Sequence, residues 1–390
     1  MRYFSVPANF NKETIDKLSQ LNEIYSNSKV IETYGQITEG SIISSGRETD
    51  VLPTINYEEL NKYVRYSMDK GISFNYTLNA ACLGNKEFSQ EGINELKKLL
   101  KNIKNIGITN LTVASPPIME LVKSLQFDFK IKASAICEIT SPSKALFYKR
   151  NGIERAVIDP DITRDFKTIK NISKVFGNGL EIIVNNVCYK NCAYKMYHYN
   201  HEAHCCSSNT SQVIKDYYFN RCSLQKAGGV KNSMRLNWIR PEDLKYYENS
   251  GIKYFKIQGR QNVLRGDIVK TVEAYFKEDF DGNLFDLITL FAPYNAFQPY
   301  MDNKKLDGFV KGFYDHPGLC SDVCEKCNYC DKYASKCMDK EIVKGINKQA
   351  IDFYWEYDKY KNYIEKDCED SKSIKRKIKK SYDDLKFDFE

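Results

Sequence analysis

The feature that most constrains the fold is a regular alternation of short apolar runs with amphipathic segments, which continues from about residue 30 to about residue 275. Eight of the runs have the length and composition of buried strands, at residues 29–35, 72–79, 110–116, 129–135, 155–160, 180–185, 233–239 and 254–260. The segments between them place apolar residues at helical spacing. Strands that alternate with helices form parallel sheets, and eight such units favour a TIM-like (β/α)8 barrel over an open doubly wound sheet.

The ends of several predicted helices are marked by residues that cap helices. Asn56, followed three residues later by Glu59, can form a capping box at a helix start. Glycine stands where helices should stop before the next strand, at Gly71, Gly107, Gly152 and Gly251. These boundaries support the assignment of alternating strands and helices.

With 390 residues, the chain is longer than a barrel of about 250 residues requires. We therefore expect an α/β barrel over residues 1–280, with a cysteine-rich insertion at 185–233, and a smaller cysteine-rich, mostly helical extension at 281–390. Hydrophobic residues make up 42% of the chain and charged residues 28%, which is enough apolar material for a large core. The formal charge of +7 allows contact with RNA or anionic metabolites and requires neither.

The first residues lack the basic and then apolar pattern of a secretory signal, and no uncharged apolar run is long enough to span a bilayer. The sequence therefore predicts a cytoplasmic protein without a membrane span. Thiols in the cytosol are kept reduced, so the thirteen cysteines are expected to bind metal rather than to form a disulfide framework.

In a barrel the carboxyl ends of the strands face the active site, so polar residues near those ends are candidates for catalysis. The candidates are Glu32, Tyr34, Asn75, Asn79 and Arg260. Arg260, together with Arg47 in the run SSGR, is also a candidate for gripping a carboxylate or phosphate, because a guanidinium binds either through two hydrogen bonds. The alternative for each residue is ordinary polarity at the barrel rim and, for the arginines, an ion pair.

The segment between the sixth and seventh predicted strands is an insertion of nearly fifty residues, where a helix of about fifteen would suffice. It carries five cysteines: Cys188, Cys192, Cys205, Cys206 and Cys222. Zinc sites use compact pairs such as C-x2-C, which the insertion lacks. An iron-sulfur cluster accepts one thiolate for each iron from separate loops, so four of the five cysteines could hold a [4Fe-4S] cluster.

Three histidines, His198, His201 and His204, recur at intervals of three residues within the same insertion. They could share one helix face and bind a single metal ion, or they could form hydrogen bonds to the cluster loop or the substrate. We count His198 and His204 among the catalytic candidates.

A second group of cysteines lies near the carboxyl terminus, at Cys320, Cys324, Cys327, Cys330 and Cys337. Cys324, Cys327 and Cys330 repeat the first three positions of the ferredoxin C-x2-C-x2-C run, and either Cys320 or Cys337 can supply the fourth thiolate. We expect a second iron-sulfur cluster here, with zinc as the alternative. A radical SAM site also uses C-x3-C-x2-C, but that motif belongs after the first strand of a barrel and not after the last.

Two stretches resemble the collagenase-like U32 peptidase family: LEIIVNNVCYKNCAYKMYHYN, residues 180–200, and WIRPEDLKYYENSGIKYFKIQGR, residues 238–260. In that family a cysteine-bearing stretch follows a strand that ends in Val-Asn, and an R/S-P-x-D-L helix leads into a strand that ends K-I-E-G-R. The resemblance covers roughly residues 1–275. It departs at Gln258, where the family has glutamate, and in the close spacing of the first two cysteines.

The resemblance implies a [4Fe-4S] cluster whose ligands are Cys188, Cys192, Cys222 and either Cys206 or Cys205. Members of the family include oxygen-independent hydroxylases that act on ribosomal RNA, transfer RNA and ubiquinone precursors, some with prephenate as oxygen source. We therefore expect an iron-sulfur oxidoreductase that hydroxylates an RNA base or a small molecule, with a carboxylate oxygen donor such as prephenate and with a possible partner subunit.

Two other functions remain open at the level of sequence. The first is a peptidase, as the family name suggests, although the chain has neither G-x-S-x-G nor H-E-x-x-H. Cys82 and Cys137 lie near predicted strand ends and could act as nucleophiles, although buried free cysteine is the simpler interpretation. The second is a non-catalytic iron-sulfur protein that transfers electrons to a partner.

Overall fold

Eight parallel strands close into a barrel in the computed structural model, which describes residues 1–39, 45–46, 51–205, 217–293 and 297–362. The strands of the chain are β1 (Arg2–Pro7), β2 (Ser28–Gly35), β3 (Ser73–Leu78), β4 (Asn110–Val113), β5 (Lys130–Ala133), β6 (Arg155–Val157), β7 (Leu180–Ile183), β8 (Asn185–Tyr189), β9 (Leu236–Trp238) and β10 (Tyr254–Lys256). Around the barrel their order is β1, β10, β7, β6, β5, β4, β3, β2. The predicted (β/α)8 barrel is confirmed.

One of the eight runs predicted as barrel strands does not join the barrel. The run at 233–239 contributes β9, which pairs antiparallel with β8 in a separate two-stranded sheet, with Asn185 opposite Trp238. Its place in the barrel is taken by β1, which pairs with β2 on one side and β10 on the other. The cysteine-rich insertion therefore follows the seventh strand of the barrel instead of the sixth.

Helices surround the barrel and continue beyond it. They are α1 (Lys12–Ile24), α2 (Tyr57–Asp69), α3 (Gln90–Asn105), α4 (Pro116–Ser124), α5 (Pro142–Arg150), α6 (Phe166–Phe176), α7 (Lys195–Cys205), α8 (Tyr217–Ala227), α9 (Val230–Met234), α10 (Leu244–Glu248), α11 (Ile268–Lys277), α12 (Leu284–Ile288), α13 (Phe309–Asp315), α14 (Tyr329–Cys337) and α15 (Lys340–Asp358). The predicted capping box is present at the start of α2, where Asn56 and Glu59 exchange hydrogen bonds. Gly251 has a φ of +94° after α10, and a Cβ there would meet Ser173 Oγ at 2.0 Å, so the turn into β10 requires glycine.

The apolar core lies between the barrel and its helices. Phe4 of β1, for example, packs against Phe255 of β10 and Phe276 of α11. The inside of the barrel is polar by contrast, because inward-facing positions of several strands carry charged side chains that are almost fully buried. The burial of paired charges there leaves the apolar surfaces of the strands to face the helices.

The carboxyl-terminal helices pack on the insertion as well as on the barrel. Trp238 of β9 lies 5.4 Å from the Phe309 ring of α13, and α15 packs along α8. Between α8 and α15 a small apolar cluster includes Leu224, Ala227 and Ile351. The predicted boundary at residue 280 stays a prediction. No helix in the described part of the chain combines the length and the apolar character needed to cross a bilayer.

Candidate functional site

A cavity of about 490 Å³ opens at the mouth of the barrel, beneath the insertion. Its wall includes Cys188 of β8, Cys192 from the turn that follows, and Cys222 of α8. Residues that follow β10, such as Gln258 and Gln261, line the opposite side. The structure thus brings three of the cysteines predicted as cluster ligands to the carboxyl ends of β7 and β10.

Hydrogen bonds at the end of β7 fix the segment that carries these thiols. Asn185 donates through Nδ2 to the carbonyl oxygens of Gln258, at 2.8 Å, and of Ile288, at 3.0 Å. The next residue, Asn186, accepts a hydrogen bond from the backbone N–H of Cys188 at 2.9 Å. These hydrogen bonds attach the β8–β9 sheet to the segment that follows β10, the last barrel strand. They thereby fix the position of Cys188.

The three cysteines are half-buried and not joined in disulfides, and Cys192 and Cys222 are neighbours. Burial raises the pKa of Cys192, and the proximity of Cys222 raises it further. The fourth predicted ligand is Cys205 or Cys206. Cys205 is the last residue of α7, its side chain is not described, and Cys206 lies outside the described residues.

Within the described parts of the chain, no three histidine, cysteine or acidic side chains are already arranged to hold a metal ion. Cys188, Cys192 and Cys222 line one cavity wall, and a cubane cluster takes one thiolate for each iron. These three residues fit the predicted [4Fe-4S] cluster, while its fourth ligand, Cys205 or Cys206, stays a prediction.

The predicted histidines lie differently with respect to the cavity. His198 lines it, with Nε2 3.3 Å from Glu202 Oε1 and its ring stacked on Tyr218 at 5.7 Å. His201 meets Tyr218 edge-on, and His204 is exposed and not part of the cavity wall. The regular spacing thus places one of the three histidines, His198, in the wall of the cavity.

A mostly buried lysine, Lys195, lies beside the thiols, and no pattern in the sequence indicated it. Lys195, at the start of α7, also lines the cavity, and its Nζ lies 3.0 Å from Asp159 and 2.7 Å from Asp161. Burial alone would lower the pKa of Lys195, but the two carboxylates raise it. Lys195 therefore stays charged and joins the insertion to the end of β6.

Glu32 and Asn75, both predicted as catalytic, belong to a closed network inside the barrel. Glu32 is paired with Lys132 and Arg155, and both cations also pair with Glu181. Burial would raise the pKa of Glu32, but the charges of Lys132 and Arg155 lower it well below its ordinary range. Asn75 donates to Glu32 at 3.4 Å. Two carboxylates facing two cations have no net charge, so this network suits a structural role.

Tyr34 lies nearer the mouth, and it adjoins a residue that the sequence analysis missed. Its hydroxyl donates to the carbonyl oxygen of Ile257 at 2.8 Å, and the Lys256 ammonium lies 4.2 Å from its ring centre. Burial, together with the nearby charges of Lys132 and Arg260, lowers the pKa of Lys256 to about 7. The alternation of inward-facing positions along β10 was the signal that could have identified Lys256.

The remaining rim candidates lie on the β3 side of the mouth. Arg260 is almost fully buried and donates to Thr77 Oγ1 at 3.3 Å and to the carbonyl oxygen of Ser45 at 2.7 Å. Asn79 is half-buried, and its Oδ1 has no hydrogen-bond partner among the described residues. Arg47 lies outside the described residues, so its role as an anion ligand stays a prediction.

The R-P-x-D-L stretch has a structural role. Arg240 is 1% exposed and grips Asp243 through two nitrogens, at 2.8 and 3.2 Å. It also donates to Asp307, at 2.9 Å, and to the carbonyl oxygen of Asn303, at 2.7 Å. The arginine therefore attaches the start of α10 to the segment before α13 and does not reach the cavity.

Four of the five cysteines in the carboxyl-terminal group lie together, and the fifth lies apart from them. Cys320, Cys324, Cys327 and Cys330 line a second, smaller cavity, of about 40 Å³. Cys337, at the end of α14, is buried away from it, with Sγ 3.7 Å from the carbonyl oxygen of Ala334. The structure thus separates Cys337 from the other four.

Comparisons with known proteins agree with the resemblance carried by the two stretches identified in the sequence. The sequence model of peptidase family U32 matches residues 51–318. An uncharacterized protease of Methanocaldococcus jannaschii is 30% identical over 324 residues, which are 83% of this chain and 93% of that protein. A solved structure of a U32 peptidase is 16% identical to this chain, with a TM-score of 0.47. The match covers 66% of this chain and 93% of that protein. The chain belongs to peptidase family U32.

Proposed function

We propose that this protein is an iron-sulfur enzyme that carries out an oxygen-independent hydroxylation, or a related redox modification, of an RNA base or a small molecule. The observation that carries the proposal is that Cys222 lines one cavity at the barrel mouth together with Cys188 and Cys192, although it lies 30 residues further along the chain. A [4Fe-4S] cluster bound there would supply an accessible iron as Lewis acid or as a site of electron transfer. Cysteines that served only as buried apolar side chains would not need to share a cavity wall.

The size and lining of the cavity suit a flat, polar substrate. Its volume of about 490 Å³ lies within the usual range for small-molecule sites, which is about 300–1,000 Å³. Tyr194 and Tyr218 both line it with ring centres 6.0 Å apart, and aromatic side chains stack on nucleobases. Gln261 offers an amide donor and acceptor to the edge of such a ring, whereas the amide groups of Gln258 and Asn262 already bond to the protein.

Replacement of C–H by C–OH is a two-electron oxidation, so an oxygen donor or an electron acceptor must accompany the substrate. A carboxylate donor would find an arginine in the cavity wall at Arg265, whereas Arg260 is buried and bonded to Thr77 and Ser45, and Arg47 stays a predicted contact. Lys195, which Asp159 and Asp161 hold in its charged form, can stabilise negative charge that develops at the reacting group, and His198 lines the same cavity.

The second candidate function is peptide hydrolysis, which the names of the family and of the archaeal relative favour. A hydrolase needs an activated nucleophile. Burial raises the pKa of the Cys137 thiol to about 11, which keeps it protonated. Among the described residues, no serine or cysteine contacts His198, whose partners are Glu202 and aromatic rings.

The test is anaerobic purification of the whole chain, followed by iron and sulfide analysis and a visible spectrum, with Cys222→Ala and the control Cys82→Ala. RNA and metabolite extracts from a deletion strain complemented with each form are compared by mass spectrometry. We expect Cys222→Ala to lose iron and to lose the product that carries one additional oxygen, while Cys82→Ala keeps both. Peptide cleavage that persists without iron in Cys222→Ala would overturn the proposal in favour of a peptidase.

A further inference from the structure

We propose that Cys320, Cys324, Cys327 and Cys330 bind a second iron-sulfur cluster, separate from the cavity at the barrel mouth. The site goes beyond the proposed function and beyond the family match, which ends at residue 318. It also makes a choice that the sequence leaves open, since the spacing allows either Cys320 or Cys337 as the fourth ligand.

The four thiols are brought together by a short irregular segment and the start of a helix. Cys320 precedes a 3-10 turn at Cys324–Lys326, Cys327 ends that turn, and Cys330 lies in the first turn of α14. All four are half-buried and line the same cavity.

Cys337 does not belong to this group. It lies seven residues after Cys330, at the far end of α14, and it is 3% exposed. Its thiol is directed at the carbonyl oxygen of Ala334, and it contributes nothing to the cavity wall. Cys337 is therefore the matched control, a buried cysteine on the same helix that packs without binding metal.

Four cations and two carboxylates, Asp322 and Asp331, lie around the four thiols, and this excess of positive charge favours a negatively charged cluster. Lys231 and Arg235 line the cavity with them. Lys190 donates to Cys320 Sγ at 3.5 Å and to Asp322 at 2.6 Å. Arg164, fully enclosed, acts electrostatically on both Cys330 and Cys320. An ordinary apolar pocket for free cysteines would not collect four cations, whereas thiolates bound to metal are stabilised by them.

An iron-sulfur cluster fits this group better than zinc for two reasons. The C-x2-C-x2-C spacing of Cys324, Cys327 and Cys330 is that of ferredoxin-type clusters, whereas zinc sites combine two separate pairs. In addition, all four thiols line one cavity, so each can take one iron of a cubane. The expected occupant is therefore a [4Fe-4S] cluster.

The experiment compares the whole chain with Cys327→Ala, Cys337→Ala and Cys222→Ala, all purified anaerobically from iron-supplied cultures. Iron, sulfide and zinc are measured per chain, and electron paramagnetic resonance is recorded after reduction. Two [4Fe-4S] clusters give about eight iron in the unaltered protein, and about four in Cys327→Ala and in Cys222→Ala. Cys337→Ala keeps about eight iron. The iron left on the barrel loop in Cys327→Ala reports that the barrel is still folded.

Three results overturn the inference. One is that Cys327→Ala contains as much iron as the unaltered chain. Another is that zinc is lost in Cys327→Ala while iron is unchanged. The third is that Cys337→Ala loses as much iron as Cys327→Ala in a protein that melts at the unaltered temperature. Failure of the proposed function looks different, because Cys222→Ala would then keep all its iron while Cys327→Ala loses what is present.

Discussion

The ammonium of Lys256 lies 4.2 Å from the centre of the Tyr34 ring, inside the barrel and close to its mouth. The charged groups that face it are Lys132, Glu181, Arg260 and Glu32, and both carboxylates are already paired with Lys132 and Arg155. Because burial and the neighbouring cations lower its pKa to about 7, a large fraction of this amine is neutral at neutral pH. A neutral amine at the mouth of a barrel can accept a proton from a substrate.

Replacement of Lys256 by methionine should change how stability depends on pH. The ordinary pKa of lysine is 10.5, so between pH 7 and 10 the unfolded wild-type chain binds a proton that the folded chain does not. Wild-type stability should therefore rise with pH relative to Lys256→Met, by about 1 to 3 kcal/mol between pH 7 and 9. Urea denaturation at both pH values measures it, with the exposed Lys97→Met as control. Parallel pH profiles for wild type and Lys256→Met would contradict the assignment.

Removal of the Arg240 side chain should destabilise the protein strongly. In Arg240→Ala the nearly buried carboxylate of Asp243 loses both of its hydrogen bonds to the guanidinium, and a cost of about 3 to 5 kcal/mol is expected. Arg240→Lys should recover little of it, because an ammonium cannot make the two-pronged contact. Thermal denaturation checks this against Lys305→Ala, whose pair with Asp302 is exposed and should matter little. A melting temperature of Arg240→Ala equal to that of Lys305→Ala would count against the structural role.

Replacement of Gln258 by glutamate, the residue typical of the family, should make the folded protein less stable as the new carboxyl group loses its proton. Gln258 Nε2 donates to the carbonyl oxygen of Asn185 at 3.3 Å, and its Oε1 accepts from Asn186 at 3.3 Å. A glutamate can keep the first contact only while protonated, so its folded pKa should lie above its unfolded pKa. Stability relative to wild type should then fall by about 1 to 2 kcal/mol as the pH rises from 5 to 8.

The matched control for this prediction is Gln261→Glu, which changes another residue of the same cavity wall. No hydrogen bond of the Gln261 side chain is present among the described residues. Gln261→Glu should therefore follow the wild-type profile in chemical denaturation. If Gln258→Glu also follows that profile, the hydrogen bond to Asn185 is not a constraint on this position.

Disruption of the contact between α15 and α8 should loosen the helix that carries Cys222. Ile351 is 5% exposed and packs in the apolar cluster with Leu224 and Ala227, so Ile351→Asp places a carboxylate in that cluster. Hydrogen–deuterium exchange of the peptide over 217–227 should become at least tenfold faster, which corresponds to about 1.4 kcal/mol. Ile342→Asp, at a 58% exposed position of the same helix, should leave exchange unchanged. Equal exchange in the two variants would contradict the contact.

The barrel could be predicted because strand length, helix spacing and caps are local properties of the sequence. Which run of residues forms the eighth strand of the barrel could not be predicted. Leu236, Asn237 and Trp238 are extended and buried, as a barrel strand would be, but their hydrogen bonds go to β8. Arg2–Pro7 is also extended and mostly buried, and it enters the barrel because β2 and β10 flank it. A local pattern predicts an extended strand and says nothing about its partner.

The candidate site, like the fold, could be predicted from the sequence only in part. Cysteine spacing indicated two groups, but only the fold separates Cys337 from its neighbours, since a helix end that packs into the core looks the same in sequence as one that lines a cavity. Glu32 lies near the end of a barrel strand, as the sequence indicated, yet it belongs to a neutral ion network. Polarity at a strand end does not reveal whether a side chain points to a neighbour or to a substrate.

The packing of α15 on α8 also bears on how this chain can be divided. The family match stops at residue 318, but α8, which presents Cys222 to the barrel mouth, rests on a helix that begins more than twenty residues later. A shortened gene that ends at the homology boundary would keep every matched residue and still remove the support of a predicted ligand. Exchange of tails between related proteins would succeed only with a tail whose helix packs on α8 in the same way.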